Sequence, residues 1–562
     1  MLHWQNPAST PIMWLAIVYS MLVISLRSFK AAGDEPHQFS GQIPKLIHKY
    51  RQLAAQCINT VGITAPHLYT VEALVLYIIG EFGRTRDSSL GIVYEVSLVV
   101  RIATMMGYHS DPGSYSAFTP FTPFVCEMRR RVWCTVRQLD LLFASRLGLQ
   151  PILRPESTNT QLPRNIFDDE LTEDMSSLPP SRPLTEPTPI CYVIYRFKLL
   201  SVFGKVWEGM QLGAKHSFET AMKLDAELND TLKDIPPHLK MRPIEESLRD
   251  TPLLVVQRYA LDLLFLCTKC ILHRPFINFS RDDPKYEYSR KAAIDASMKI
   301  LEHQATVHRE GTPGGRLGSI TWFNNFLTTH DFQLGAMIIS LELYAIAKEK
   351  HADNARPHML HEARNDVPGM IAALEQASLI WESLSIYSAE AYKAHAMLEA
   401  ILDIFQGKEG IERRKTRAPK KAAVAMVPSD GIIEQTETLK TMGIMDSSLT
   451  QNHPVPHLFS NMGGIQPNVL NQTSETGSAT TTSTSSGHGF TPSLFPGEIE
   501  DMLNRNTNNP STFFNMFDAF PSMDMQDADI DWVCFATFLS GLLRLNQHPQ
   551  NSLGADCNPF SH

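Results

Sequence analysis

The chain has 562 residues, of which 43% are apolar and only 19% charged, and its formal net charge is −9. That length allows roughly two to four domains, and the acidic balance excludes nucleic-acid binding by overall charge, which needs concentrated positive charge on one face. Eight cysteines without a pairing rhythm exclude a disulfide framework and fit a reducing intracellular compartment.

The first pattern is the uncharged run from Pro11 to Leu26, PIMWLAIVYSMLVISL. It falls short of the roughly 20 residues that a membrane span needs. No Lys or Arg precedes it, as a secretory leader requires. A buried core helix with no membrane role is the expectation. Successive helices are expected from Leu2 to about Gly107, with Thr70 to Phe82 and Gly91 to Met106 each apolar over a wide stripe. Gly107 and Asp111-Pro112-Gly113 stop the second of these.

The next helix, FVCEMRRRVWCTVRQLDLLFASRLG, is the best defined. Val125, Met128, Val132, Trp133, Val136, Leu139, Leu142 and Phe143 recur at three- and four-residue steps, and Arg129, Arg130 and Arg137 fall largely outside that stripe. Gly148 ends it. From Gln150 to Pro189 the chain is rich in Pro, Ser, Thr and acids, so an ordered loop or linker is expected. Helical patterns resume at Ile190 and run to Phe405, broken near Pro236-Pro237 and over Gly311 to Gly318. No stretch keeps the period-two alternation of strands, and no internal repeat appears. The fold class is therefore all-α, a large multi-helix bundle over residues 1–405.

After Gln406 the composition changes. Residues 406–509 form a basic, then polar low-complexity linker, opening with Arg413, Arg414, Lys415, Arg417, Lys420 and Lys421, a nuclear-import run or a solvated charge run. Its Ser, Thr, Gly and Asn content predicts disorder. Residues 510–562 form an acidic-aromatic tail, in which Phe513, Phe514, Phe517, Phe520 and Trp532 are candidate anchors of an activation segment.

The remaining constellations carry no recognisable catalytic or metal-binding pattern. Cys267 and Cys270 form the single CxxC pair, inside an apolar helical segment, and read as buried core thiols rather than zinc ligands. Asp168, Asp169, Glu170, Glu173 and Asp174 lack the spacing of a Mg²⁺ motif and read as acids at a helix start. His358, His361 and Glu362 do not reproduce a zinc-protease helix, and no P-loop, dinucleotide fingerprint or nucleophile elbow occurs. No enzyme is expected.

Taken in order, WLAIVYSM, RIATMMGYHSDP, the EMRRRVW helix, LPRNIFDDEL and LHRPF at Leu272 to Phe276 resemble the fungal-specific transcription factor family over residues 2 to about 400. Family members usually carry a six-cysteine binuclear zinc cluster ahead of this region. The present sequence starts inside the helical region and encodes no such cluster, which implies a regulator acting through a DNA-bound partner, or a truncated gene model. Carried over residue by residue, the signature is Arg129, Arg130, Arg131, Trp133, Asp140, Pro163, Asn165 and Asp168, with His273, Arg274 and Pro275 later. Architectural roles are expected: Trp133 as a core anchor, and arginines pairing with Asp140 or the acidic loop.

The resemblance implies a nuclear regulator of RNA polymerase II genes in a fungus, such as a pathway-specific regulator of a secondary-metabolite gene cluster. Its implied partners are a DNA-bound transcription factor or promoter DNA through that factor, transcriptional coactivators, a small-molecule effector, and a homo- or heterodimeric mate. No cofactor is expected in this chain, zinc entering only with a cluster. The alternative is an all-α ligand-binding protein or enzyme with a pocket in the bundle, which needs convergent polar groups in an apolar cavity.

Overall fold

Where the sequence offers long apolar stripes, a computed structural model of the chain places α-helices joined by short 3₁₀ turns. It describes residues 6–402 apart from 34, 63–65, 83–89, 116–120, 147, 212–216, 313, 321–328, 352–365, 387, 389 and 400. The basic run, the acidic-aromatic tail and the 358–362 histidines lie outside the described residues. Among the described residues no strand occurs, as the all-α expectation requires.

The helices are α1 (Ile12–Ala32), α2 (Ile43–Val61), α3 (Thr70–Phe82), α4 (Leu90–Met105) and α5 (Pro123–Arg146), then a long loop, then α6 (Pro189–Gln211) and α7 (Phe218–Lys233). After the Pro236-Pro237 turn come α8 (Pro252–His273), α9 (Glu287–Glu310), α10 (Thr329–His351) and α11 (Val367–Leu384). Residues 390–399 are helical as well. Local chemistry marks the ends. Gly33 takes a left-handed φ of 69° and closes α1, a conformation that costs a side chain energy. Ser217 and Thr251 cap α7 and α8 by accepting the N–H groups of Thr220 and Leu254.

α1 corrects one expectation. The apolar run was read as too short to span a bilayer, yet the helix continues through Arg27 and Lys30 to reach 21 residues. By length and composition alone it could cross a membrane. The apolar run ends before the helix does because Lys and Arg are good helix formers. One side of α1 packs on α2 and α3 through Met13, Ala16, Val23 and Ile24.

A continuous apolar core threads from α1 to residue 402. Its anchors include Trp133 and Trp381, each fully buried. An aromatic side chain buries on the order of 150–250 Å², or roughly 4–6 kcal/mol at about 25 cal/mol per Å². α9 is central to the second half, packing on α8, α10 and α11. Gly335 of α10 lets it approach α9, since a Cβ there would lie 3.0 Å from Ile300 Cγ2 and 3.1 Å from the Ser297 carbonyl. The same helices are tied by Glu342, a wholly buried carboxylate that accepts from Arg290 Nη2 at 2.5 Å and from Arg281 Nη2 at 2.9 Å. A buried carboxylate persists where cations meet both its oxygens.

Candidate functional site

The 147–188 loop has no regular hydrogen-bond ladder, so its backbone groups need side-chain partners. α5 supplies several. Asp140 accepts the N–H groups of Ile152 at 3.1 Å and Leu153 at 2.8 Å. Trp133 Nε1 donates to Thr158 Oγ1 at 2.9 Å, and Thr158 Oγ1 donates to the His109 carbonyl at 2.8 Å. The Arg164 N–H donates to Glu127 at 3.0 Å. Further along, Asn165 is fully buried and acts as a staple. Its Nδ2 donates to the carbonyls of Pro183 at 2.9 Å and Glu186 at 3.2 Å, while its Oδ1 accepts from Thr188 Oγ1 at 2.6 Å. Pro163 is buried beside it.

The three consecutive arginines are the centre of the site, and they correct the helical-stripe expectation. Arg129 and Arg130, assigned outside the apolar stripe, are 9% and 7% exposed, and Arg131 is 6% exposed. Only Arg137 is half-buried, resting 4.4 Å from the Phe197 ring centre. Periodicity failed because the surface they face is a layer of acids and carbonyls rather than water.

Arg130 grips Asp111 through both carboxylate oxygens, Nε to Oδ2 at 2.9 Å and Nη2 to Oδ1 at 2.8 Å. Such bidentate pairs are the stronger kind. Asp111 also accepts the N–H groups of Gly113 and Gln161. Burial pushes its carboxyl up, but Arg130 and those N–H groups outweigh it and hold Asp111 below the usual carboxylate range. Arg131 bridges two acids, donating Nη1 to Asp168 at 2.5 Å and Nε to Glu127 at 3.3 Å. Burial raises the Glu127 carboxyl despite that contact.

Arg129 lies flat on the Tyr108 ring, 3.9 Å from its centre, with Phe121 at 4.8 Å, and Nη2 donates to the Met106 carbonyl at 2.7 Å. Tyr108 in turn donates its hydroxyl to Glu72 at 2.7 Å. Burial raises both the Glu72 carboxyl and the Tyr108 hydroxyl.

Among the signature residues, then, the pairing of an arginine with the acidic loop holds, as Arg131 with Asp168. The pairing with Asp140 does not. Its two oxygens face loop N–H groups, and burial raises its carboxyl against those bonds. The partners that sequence reasoning missed are Asp111, Glu127, Glu72 and Tyr108. Asp111 was visible only as part of a helix stop, and Glu127 only as the letter before MRRR.

A second buried cluster gathers on LHRPF. His273 Nε2 lies 3.1 Å from Asp225 Oδ1, and its Nδ1 lies 2.9 Å from Ser289 Oγ. Asp225 also accepts from the Tyr288 hydroxyl at 2.6 Å and Asn229 at 2.9 Å, with Lys269 Nζ 3.5 Å away. Burial pushes the Asp225 carboxyl up, but His273, Tyr288 and Lys269 prevail and lower it to about 2. Ser, His and Asp stand in the order of a hydrolase relay. Ser289 and His273 are nevertheless fully buried, so no substrate reaches them. The cluster pins α7, α8 and α9 together. Arg274 and Pro275 begin the 3₁₀ turn that leaves α8.

Cys267 and Cys270 are unpaired buried thiols, as expected. Burial raises both, Cys270 to about 12, which keeps them protonated. Among the described residues no three His, Cys, Asp or Glu side chains are placed to hold a metal ion. A cleft of about 300 Å³ opens at the α7–α8 turn, lined by Leu232, Ile235, Leu239, Met241, Arg258 and Leu261.

Comparison with known proteins places this geometry. The family model of the fungal specific transcription factor domain matches residues 5–207, which hold α1 to α5, most of α6 and the whole arginine network. The chain is 32% identical to the Zn(2)-C6 fungal-type transcription factor pigI of Monascus ruber, over 69% of this chain and 47% of that protein. It is 31% identical to the pyrrolocin cluster transcription factor fsdR of a fungal species, over 76% and 56%. It is 27% identical to the equisetin cluster transcription factor eqxF of Fusarium heterosporum, over 71% and 56%. The chain spans about half the length of these relatives. No solved structure matches it. Residues 5–207 are a fungal specific transcription factor domain, and the chain as a whole is similar to transcription factors that carry it.

Proposed function

We propose that this chain is the helical regulatory region of a nuclear, pathway-specific transcription regulator that controls a fungal secondary-metabolite gene cluster. The observation that carries the reading is the coincidence of two facts. Relatives matching over 71–76% of the chain are named as regulators of such clusters, and the stretch matched by the family model contains a buried ion network built for rigidity rather than catalysis. Each of these relatives is named a transcription factor.

Promoter DNA is reached through a DNA-bound partner, or through a zinc cluster on a longer product of the same gene. The eight cysteines of this sequence lack the spacing of a six-cysteine zinc cluster. The basic run Arg413 to Lys421 serves nuclear import, and the tail aromatics Phe513 to Trp532 recruit coactivators. A small-molecule effector has the α7–α8 cleft open to it, lined by apolar Ile235, Leu239 and Leu261 and by charged Lys233, Arg258 and Asp262.

The test is deletion of the gene in its host with transcript profiling, joined to chromatin immunoprecipitation of the tagged protein and mapping of the transcript's 5′ end. Coordinated change of a contiguous set of biosynthetic genes, with the tagged protein on their promoters, is the expected result. Unchanged transcripts would overturn the reading. An upstream cysteine-rich exon would decide how promoters are reached, in favour of the longer product.

A further inference from the structure

The outer side of α1 is only partly covered by the bundle. From Ile12 through Leu26 the helix carries no charge, yet only 33% of its apolar stretch is buried. Ile12, Leu22 and Phe29 are 41%, 37% and 40% exposed, and Leu15 and Tyr19 are half-buried. Exposed apolar surface of this continuity marks an interaction site more often than chance. Ile12, Leu15, Tyr19, Leu22, Leu26 and Phe29 follow steps of three and four, the spacing of a coiled-coil seam, with Leu26 alone sealed inside.

α2 forms the other wall. Tyr19 stacks on Tyr50 with ring centres 6.0 Å apart, and Leu46 and Leu53, one turn either side of Tyr50, are half-buried. The seam is therefore the edge of a groove between α1 and α2. Beyond Leu46 and Leu53, α2 turns basic. Lys45 and Lys49 are exposed, and α2 holds no Asp or Glu. Of the five cations in residues 6–62, Arg51 pairs with Glu81 and Arg27 donates to the Gly80 carbonyl, so Lys30, Lys45 and Lys49 are the ones exposed.

We propose that the α1–α2 groove receives an acidic amphipathic helix of a partner protein. Its apolar face packs on Ile12, Leu15, Tyr19 and Leu22, and its carboxylates face Lys45 and Lys49. A helix laid in an apolar groove reads its partner by such anchors, and charge complementarity adds specificity and speed of encounter. A second copy of this chain fits less well, because it brings the same lysines together. A bilayer would take the same apolar stripe, and vesicle flotation separates that occupant from a facing helix.

The test is fluorescence anisotropy of the full chain with a labelled synthetic helical peptide of about 18 residues, leucine on one face and glutamate on the other. Controls are the same peptide with lysine for glutamate, and a scramble in which the leucines share no face. Saturable binding of the acidic peptide alone is expected, weakened at least about tenfold by the double variant Lys45→Glu with Lys49→Glu and by raised salt. Leu22→Glu should abolish it, with far-ultraviolet circular dichroism confirming that each variant is folded. No binding, or equal binding of acidic and basic peptides, overturns the proposal. So does a dimer in light scattering that Leu22→Glu dissolves, which assigns the groove to a second copy. Flotation with phosphatidylserine vesicles in the absence of peptide binding assigns it to a membrane and overturns it equally.

Discussion

In the first half of the bundle, α5 and the loop after it bury three consecutive arginines among acids and loop carbonyls, whereas in the second half α7, α8 and α9 meet on one histidine. The difference follows from what each has to hold. The α5 network fastens some forty residues with no ladder of their own, and it leaves buried atoms without a hydrogen bond among the described residues, namely Glu127 Oε2, Arg129 Nε, Arg131 Nη2 and Asp168 Oδ2. The His273 hub joins helices that already satisfy their own backbones, and both nitrogens and both Asp225 oxygens have partners. Charge is dense where backbone order is scarce.

The sharpest way to break this comparison is to remove one arginine. Arg130→Met leaves the buried Asp111 without its cation, with only the Gly113 and Gln161 N–H groups to meet it, and should cost about 3 kcal/mol in equilibrium urea denaturation. Arg182→Met removes an ion pair of similar geometry to Glu170, Nη1 to Oε2 at 2.5 Å, whose side chains are 26% and 30% exposed. That variant should lose far less, because both side chains reach solvent. Equal losses would mean that water reaches Asp111 and that the network is not a sealed fastening. Asn165→Ala comes next, with a loss of about 2–3 kcal/mol and early proteolysis within 147–188, since the loop's staple is gone. Intact resistance to protease would show that Arg131 and Asp168 hold the loop unaided.

The same contrast explains what could be read in advance. α3 was legible from Thr70 to Phe82 because its buried positions are apolar and its period is clean. α5 was legible as a helix, with Trp133 as its anchor, but its burial was not. Arg129 and Arg130 look solvent-facing to any rule that equates charge with water, and their partners Tyr108 and Asp111 lie some twenty residues upstream across a turn. Pairings between residues so far apart leave no periodic trace. Asp140 misled for the opposite reason: an acid one helical turn from an arginine suggests an ion pair, while the loop's need for acceptors was invisible until Ile152 and Leu153 were seen to turn back on it. His273 could be singled out by its motif, but Asp225, 48 residues before it, could not.

The hub should show itself in acid. Asp225 has a folded value of about 2 against an ordinary 3.8, so the unfolded chain binds its proton first as pH falls. Stability from this group is fully present above about pH 4 and is lost as pH falls toward 2, amounting to roughly 2 kcal/mol. Asp225→Asn should flatten that limb in urea titrations at graded pH, while Arg130→Met should leave it in place. An unchanged limb in Asp225→Asn would move the acid sensitivity back to Asp111.

The smallest effect expected has the opposite sign and returns to the arginine side. Glu72 is raised by burial, which outweighs the Tyr108 hydroxyl and the Arg129 charge. The folded chain therefore keeps its proton to higher pH than the unfolded chain, and stability falls as pH climbs from the ordinary carboxylate range through the folded value. Glu72→Gln keeps a carbonyl to accept the Tyr108 hydroxyl and removes the titration. It should match the parent at acid pH, where Glu72 is neutral, and exceed it increasingly as pH rises through the folded value, read as the difference in thermal midpoints. If the variant is instead weaker at pH 8, Glu72 is ionised there and supports the guanidinium of Arg129 through Tyr108. The first-half network would then hold one more carboxylate than its arginines neutralise, and the orphaned Arg129 Nε would have a charge to answer.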